Sequence, residues 1–118
     1  MKKRTTERVV FLGAGNMAEA LVKGLLATGA AAADQLTVTD VRAERVQYMR
    51  DAFGVLGMAS NREACADAGV VILAVKPQQL RDVLLDVAPV LRDGALVISI
   101  AAGWRTASIE QALGRALP

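Results

Sequence analysis

The stretch Arg8-Val9-Val10-Phe11-Leu12-Gly13-Ala14-Gly15-Asn16-Met17-Ala18 decides the fold. Arg8 to Leu12 is a strand-sized apolar run, Gly13-x-Gly15-x-x-Ala18 is a tight glycine turn, and from Met17 onward apolar residues recur at helical spacing. In such a strand-turn-helix unit the first glycine permits the turn and the second lets backbone approach a pyrophosphate. The third position needs a small residue for close helix packing, which Ala18 supplies. Unpaired amides at the helix start, at the positive end of the helix dipole, hold an anion there without a basic side chain. The turn therefore predicts a site for the pyrophosphate of a dinucleotide.

Outward from this unit, short apolar runs alternate with amphipathic segments. The first helix, with Met17, Leu21, Leu25 and with Ala18, Leu26 at helical spacing, stops at Gly29, and Leu36 to Asp40 reads as the second strand. Ala43 to Phe53 is a helix ended by Gly54, and Val55 to Ala59 is a weaker third strand. Ser60-Asn61-Arg62-Glu63 has the spacing of a capping box and opens a short helix to Ala68. Val70 to Val75 is a branched aliphatic run of the kind buried on both faces of a parallel sheet. Pro77 opens a helix to about Ala88, with Leu80, Val83, Leu84 and Val87 on one face. Ala95 to Ile100 is a fifth strand, and Thr106 is placed to cap a last helix containing Ile109, Ala112, Leu113 and Leu117. The pattern predicts an α/β fold: a Rossmann-like, doubly wound parallel sheet in three α/β/α layers, forming one dinucleotide-binding domain over residues 1–118.

Bulk composition agrees and removes several alternatives. A chain of 118 residues that is 53% hydrophobic but only 3% aromatic suits a single aliphatic core. Fourteen Lys and Arg against 12 Asp and Glu leave a net charge of +2, too weak to suggest a nucleic-acid surface. The apolar runs are too short to cross a membrane, and Gly13, Gly15, Asn16, Glu19 and Lys23 interrupt any signal sequence. One cysteine, Cys65, forms no internal disulfide, so a reducing cytoplasm is expected. The lack of histidine excludes a Ser-His-Asp hydrolase, a His-ligated zinc site and a histidine base; no metal site is expected. Cys65 reads as a packing residue, as does Met17, and Ser99 as a buried hydroxyl.

The end of the second strand should lie beside the adenosine ribose. Asp40 stands there, and an acidic residue accepts hydrogen bonds from both ribose hydroxyls and repels a 2′-phosphate, which favours NADH. Arg42 and Arg45 follow, and their planar guanidinium groups suit a 2′-phosphate, which favours NADPH. The residues alone leave both open.

Three separated motifs, Phe11-Leu12-Gly13-Ala14-Gly15-Asn16-Met17, Ala74-Val75-Lys76-Pro77-Gln78 and Val97-Ile98-Ser99-Ile100-Ala101-Ala102-Gly103, resemble pyrroline-5-carboxylate reductase. The resemblance runs from Arg8 nearly to the end. It implies a reductase that passes hydride from NADPH, or NADH, to the C=N carbon of 1-pyrroline-5-carboxylate, giving proline. It also implies cofactor contacts: Leu12, Gly13, Ala14, Gly15, Asn16 and Met17 at the pyrophosphate, with Asp40, Arg42 and Asn61 at the adenosine end. Ala74, Val75, Lys76 and Pro77, with Ile100, Ala101 and Ala102, would line the path to the nicotinamide. Lys76 is either a cation facing a phosphate or the substrate carboxylate, or simply a surface charge at a helix start; Asn61 has a local alternative in the Ser60 turn. Trp104-Arg105 departs from the small or branched residue usual in the family.

Family members continue into a helical domain that dimerises and supplies most of the substrate pocket, and that domain is expected to be absent from these residues. The cofactor domain by itself should bind nucleotide and catalyse poorly or not at all, because positioning of the substrate is lost. No catalytic proton donor is assigned; Lys76 offers only an electrostatic contribution. The alternatives are the cofactor domain of another NADP-linked reductase, of the F420-dependent or 3-hydroxyacid dehydrogenase type, and a non-catalytic NAD(P)H-binding redox sensor.

Overall fold

The computed structural model describes residues 6–100. β1 (Val9–Leu12), β2 (Leu36–Thr39), β3 (Leu56–Gly57), β4 (Val70–Leu73) and β5 (Leu96–Ser99) form one five-stranded sheet in the order β3-β2-β1-β4-β5. All pairings are parallel. β1 and β2 are buried along their whole length, which is why β1 is a continuous apolar run and β2 alternates Leu36 and Val38 with the β-branched Thr37 and Thr39 and carries no charge. The order reverses between β1 and β4: the chain first builds outward through β2 to β3, then crosses back to lay down β4 and β5.

Side-chain alternation along the strands feeds two separate cores. On one face, Val9 and Phe11 of β1 and Leu36 and Val38 of β2 pack against Ala18 and Val22 of α1 (Asn16–Thr28) and Met49 of α2 (Ala43–Phe53). On the other, Val10, Leu12, Val71 and Leu73 meet Ala64 and Cys65 of α3 (Asn61–Cys65) and Leu80, Leu84 and Val87 of α4 (Pro77–Val87). Leu80 and Leu84 are fully buried, each contributing about 2 kcal/mol through lost apolar exposure. Helices thus cover both faces of the sheet, giving the three expected layers.

The helices begin and end for local reasons. α1 and α2 stop on left-handed glycines, Gly29 and Gly54. Pro77 occupies the first turn of α4, where its missing N–H costs nothing. Ser60 Oγ accepts from the Glu63 amide at 3.2 Å, so the serine half of the expected capping box forms.

Several expectations shift in detail. β3 is reduced to two residues, and α3 ends at Cys65, short of Ala68. β2 stops at Thr39, leaving Asp40 just past the strand, and a turn of 3-10 helix at Ala33–Gln35 precedes it. Met17, expected to be a packing residue, is 60% exposed, because Ala18 and Val22 carry the buried face of α1. Ser99 is half-buried. The last helix expected after Thr106 and the Trp104 departure lie outside the described residues.

Candidate cofactor site

The carboxyl ends of four strands meet at the point where the sheet order reverses. Leu12 is level with Thr39 on one side and Leu73 on the other, and Leu73 is level with Ser99. Beyond these ends the ladder continues for one more bond each way: Gly13 N–H donates to Thr39 at 2.9 Å, Ala74 to Leu12 at 2.8 Å and Ile100 to Leu73 at 3.1 Å. The glycine turn, Asp40, Ala74 and Ile100 therefore emerge side by side. A crevice outside strand ends at such a reversal is where open α/β sheets bind ligands.

Gly13 has φ +109°, and a Cβ there would lie 2.5 Å from the Ala74 carbonyl oxygen. This close approach brings the glycine turn against the loop after β4. Gly15 is different: its backbone is extended, and a Cβ would meet nothing nearer than the Arg42 Nη2 atom at 3.7 Å. Gly15 starts α1 with no side chain capping the helix, and the first backbone bond back to it comes from the Glu19 amide at 3.0 Å. The amides of Asn16, Met17 and Ala18 precede that bond, so the turn presents donors beside open space. A phosphate fits both features.

Asp40 is held more tightly than an open ribose acceptor would be. Its Oδ2 accepts from the Ala14 amide at 2.8 Å and Arg42 Nη2 at 3.1 Å, and its Oδ1 accepts from the Arg42 amide at 2.8 Å and Nε at 3.0 Å. Four donors occupy a carboxylate with about four acceptor positions. Burial pushes its pKa up, but the Arg42 guanidinium and the two amides outweigh burial and lower it from 3.8 to about 2. Only 8% of the Asp40 side chain is exposed, against 52% for Arg42. The carboxylate is thus a bracket, and the guanidinium it orients is the group facing solvent beside Gly15.

Arg45 is committed elsewhere. Its Nε donates to the Ala14 carbonyl at 2.6 Å and its Nη2 to Glu19 Oε1 at 3.0 Å, while its guanidinium lies 4.7 Å from the Tyr48 ring centroid. Tyr48 also donates its hydroxyl to Glu19 Oε2 at 2.9 Å. The Arg45 hydrogen bond, then the Tyr48 one, hold the Glu19 carboxyl below its usual range. Sequence does not single out Glu19 and Tyr48, because the contacts that join Glu19 to Arg45 and Tyr48 link residues 26 and 29 positions apart and carry no local spacing.

Asn61 opens α3, and its Oδ1 accepts from Thr39 Oγ1 at 2.5 Å, tying that helix to the end of β2 beside Asp40. Lys76 is exposed at the start of α4, with its amide 3.4 Å from Gln79 Oε1. Val75 and Pro77 flank it, and Ala101 and Ala102 lie outside the described residues. Cys65 is buried, and burial, with a smaller push from Asp86, raises its thiol to about 12, which suits packing and not nucleophilic chemistry. An open cleft of about 440 Å³ lined by Gln47, Arg50, Asp51 and residues 54–58 contains none of the expected contacts.

Comparison with known proteins supplies the family and the fold. Residues 8–103 match the family described as NADP oxidoreductase, coenzyme F420-dependent. The pyrroline-5-carboxylate reductase of Pseudomonas aeruginosa is 45% identical over 114 residues, covering 97% of this chain and 41% of that protein. A solved pyrroline-5-carboxylate reductase from Coxiella burnetii superposes with a TM-score of 0.88 at 36% identity, covering 93% of this chain and 41% of that one. The Plasmodium falciparum pyrroline carboxylate reductase solved with NADP bound shares the fold, with a TM-score of 0.80 at 23% identity over 94% of this chain and 39% of that one. The chain spans about two-fifths of the length of these relatives. It belongs to the NADP oxidoreductase, coenzyme F420-dependent family, and over nearly its whole length it is similar to pyrroline-5-carboxylate reductases.

Proposed function

We propose that this chain is the NADPH-binding domain of a pyrroline-5-carboxylate reductase. The observation that carries the reading is the uncapped start of α1 after Gly15, which leaves amides beside open space at the sheet reversal. When bound there, NADPH supplies a hydride for the C=N carbon of 1-pyrroline-5-carboxylate, giving proline. Residues 12–17 hold the pyrophosphate. Arg42, oriented by Asp40, meets the 2′-phosphate, with Asn61 at the same end. Ala74, Val75 and Pro77, together with Ile100, line the nicotinamide side. Lys76 adds positive charge near the substrate carboxylate without touching the reacting atoms.

The family description names NADP, and the Asp40–Arg42 geometry favours it over NADH, because the carboxylate that would repel a 2′-phosphate is already satisfied by four donors. In the complete enzyme, substrate positioning and assembly of like subunits fall to the helical domain characteristic of the reductase, in the cytoplasm. No helix among the described residues is long and apolar enough to cross a membrane.

Titration of the chain with NADPH and NADH, followed by nucleotide fluorescence, tests the reading. Arg42→Ala is expected to weaken NADPH binding by about tenfold or more, in line with a lost charge-assisted contact, and to change NADH binding less than about threefold. Equal losses for both would remove Arg42 from the 2′-phosphate. An unmutated chain that binds neither nucleotide would overturn the cofactor reading itself.

A further inference from the structure

The Ala14 peptide units are gripped from two sides by side chains of the segment that follows β2. Asp40 takes the Ala14 amide at 2.8 Å, and Arg45, from the first turn of α2, gives Nε–H to the Ala14 carbonyl at 2.6 Å. Arg45 is itself held in place: Glu19 of α1 receives its Nη2 at 3.0 Å, and Tyr48 lies under its guanidinium and donates to the other Glu19 oxygen. Lys23 approaches the same oxygen at 3.5 Å. Arg45 and Glu19 are about four-fifths hidden from solvent, with 21% and 16% of their side chains exposed.

A trans peptide places its C=O and N–H on opposite sides. With the Ala14 carbonyl drawn toward Arg45, the Gly15 N–H points away from α2, and Gly15 itself begins α1. The orientation of this one peptide decides how the chain enters the helix whose first amides face the open space. We propose that Arg45 is a positioning residue for the cofactor: it fixes the Ala14–Gly15 peptide so that the start of α1 presents its amides to the pyrophosphate, and it does not bind the 2′-phosphate. The inference rests on the dinucleotide reading above. It assigns the two arginines after β2 different tasks, Arg42 at the adenosine phosphate and Arg45 behind the turn.

The two tasks separate by ligand. NADPH and NADH share a pyrophosphate, so loss of a positioning contact weakens both alike. Adenosine 2′-monophosphate carries the 2′-phosphate without any 5′-phosphate, so its binding should not change. Arg45→Met keeps the aliphatic stem over Tyr48 and removes the donors. It is expected to weaken NADPH and NADH by the same factor, about ten- to a hundredfold, the range of a lost hydrogen bond from a charged group. The loss should persist in about 0.5 M salt, where long-range charge effects are screened. Arg45→Lys, which can still reach the Ala14 carbonyl, should recover part of it.

Titrations run well below the melting temperature of each variant exclude unfolding as the cause. A loss confined to NADPH and adenosine 2′-monophosphate would make Arg45 a phosphate ligand and overturn the proposal. So would a lowered melting temperature with unchanged affinities, the result for a merely structural residue. An unmutated chain that binds neither nucleotide would instead remove the cofactor reading on which the proposal stands.

Discussion

Gly13→Ala is expected to lower the thermal midpoint by more than about 10 °C, while Gly15→Ala leaves it nearly unchanged and abolishes most nucleotide binding. The two glycines belong to one motif but fail for opposite reasons. At Gly13, φ is +109°, and an added Cβ would sit 2.5 Å from the Ala74 carbonyl oxygen and 2.8 Å from its carbon. Both contacts are backbone atoms of the residue just past β4, whose amide is held by the Leu12 carbonyl, and backbone cannot rotate aside as a side chain can. Forcing an L-residue into this region costs about 1–3 kcal/mol, and overpacking against fixed atoms adds a similar amount. Relief would require parting β1 from β4, and with it the bond from Ala74 to the Leu12 carbonyl.

At Gly15 the backbone is extended, and the added methyl would have room, since its nearest neighbour is the Arg42 guanidinium at 3.7 Å. Folding should tolerate it. The methyl would stand in the space beside the α1 amides, where a pyrophosphate needs backbone contact, so nucleotide affinity should fall by more than about thirtyfold, or about 2 kcal/mol. Thermal unfolding followed by circular dichroism, together with nucleotide titration, measures both. A soluble Gly13→Ala chain melting within about 3 °C of the original would refute the close-approach argument.

This pair also marks what the sequence could and could not convey. The succession of strands and helices, the apolar helix faces and the glycine turn are legible because each leaves a local trace: apolar runs of strand length, helical spacing, and glycine or proline at helix ends. β3 is shorter than the strand-like composition of Val55 to Ala59 suggests: Leu56 and Gly57 register against β2, and beyond them the Met58 amide adds one bond to the Val38 carbonyl at 3.1 Å. Helical spacing alone does not fix which face of α1 turns inward, so Met17 looks like a packing residue although Ala18 and Val22 hold that place.

The site was legible in position and less so in roles. Their distance beyond the turn places Asp40 and Arg42 beside the ribose, and by charge alone they favour different ligands. In the structure they bind each other, since two residues of spacing let the guanidinium fold back onto the carboxylate. Arg45 was grouped with Arg42 for its charge; its partners, Ala14 and Glu19, come from a different element and leave no mark in local spacing. Sequence identifies which charges are near a strand end, and only packing decides which of them are already spent.

Asp40→Asn should cost about 2 kcal/mol of stability at neutral pH and almost none near pH 2, which follows from a carboxyl lowered from 3.8 to about 2 on folding. A depressed folded-state pKa means that the unfolded chain takes up the proton first as pH falls. The contribution is therefore complete above about pH 4, and it disappears as pH drops through the folded value near 2. Burial of the carboxyl works against this, but the Arg42 and Ala14 donors dominate. Urea unfolding of both chains from about pH 7 down to pH 2 isolates the effect, because every other carboxylate titrates in both and cancels in the difference. The gap should stay level to about pH 4 and then close. A gap that stays constant to pH 2, or none at neutral pH, would show that the four hydrogen bonds do not favour the charged form. Since the same carboxylate pins the Ala14 amide and aims Arg42, the variant should also lose NADPH affinity at neutral pH, linking stability of the turn to the selectivity of the site it frames.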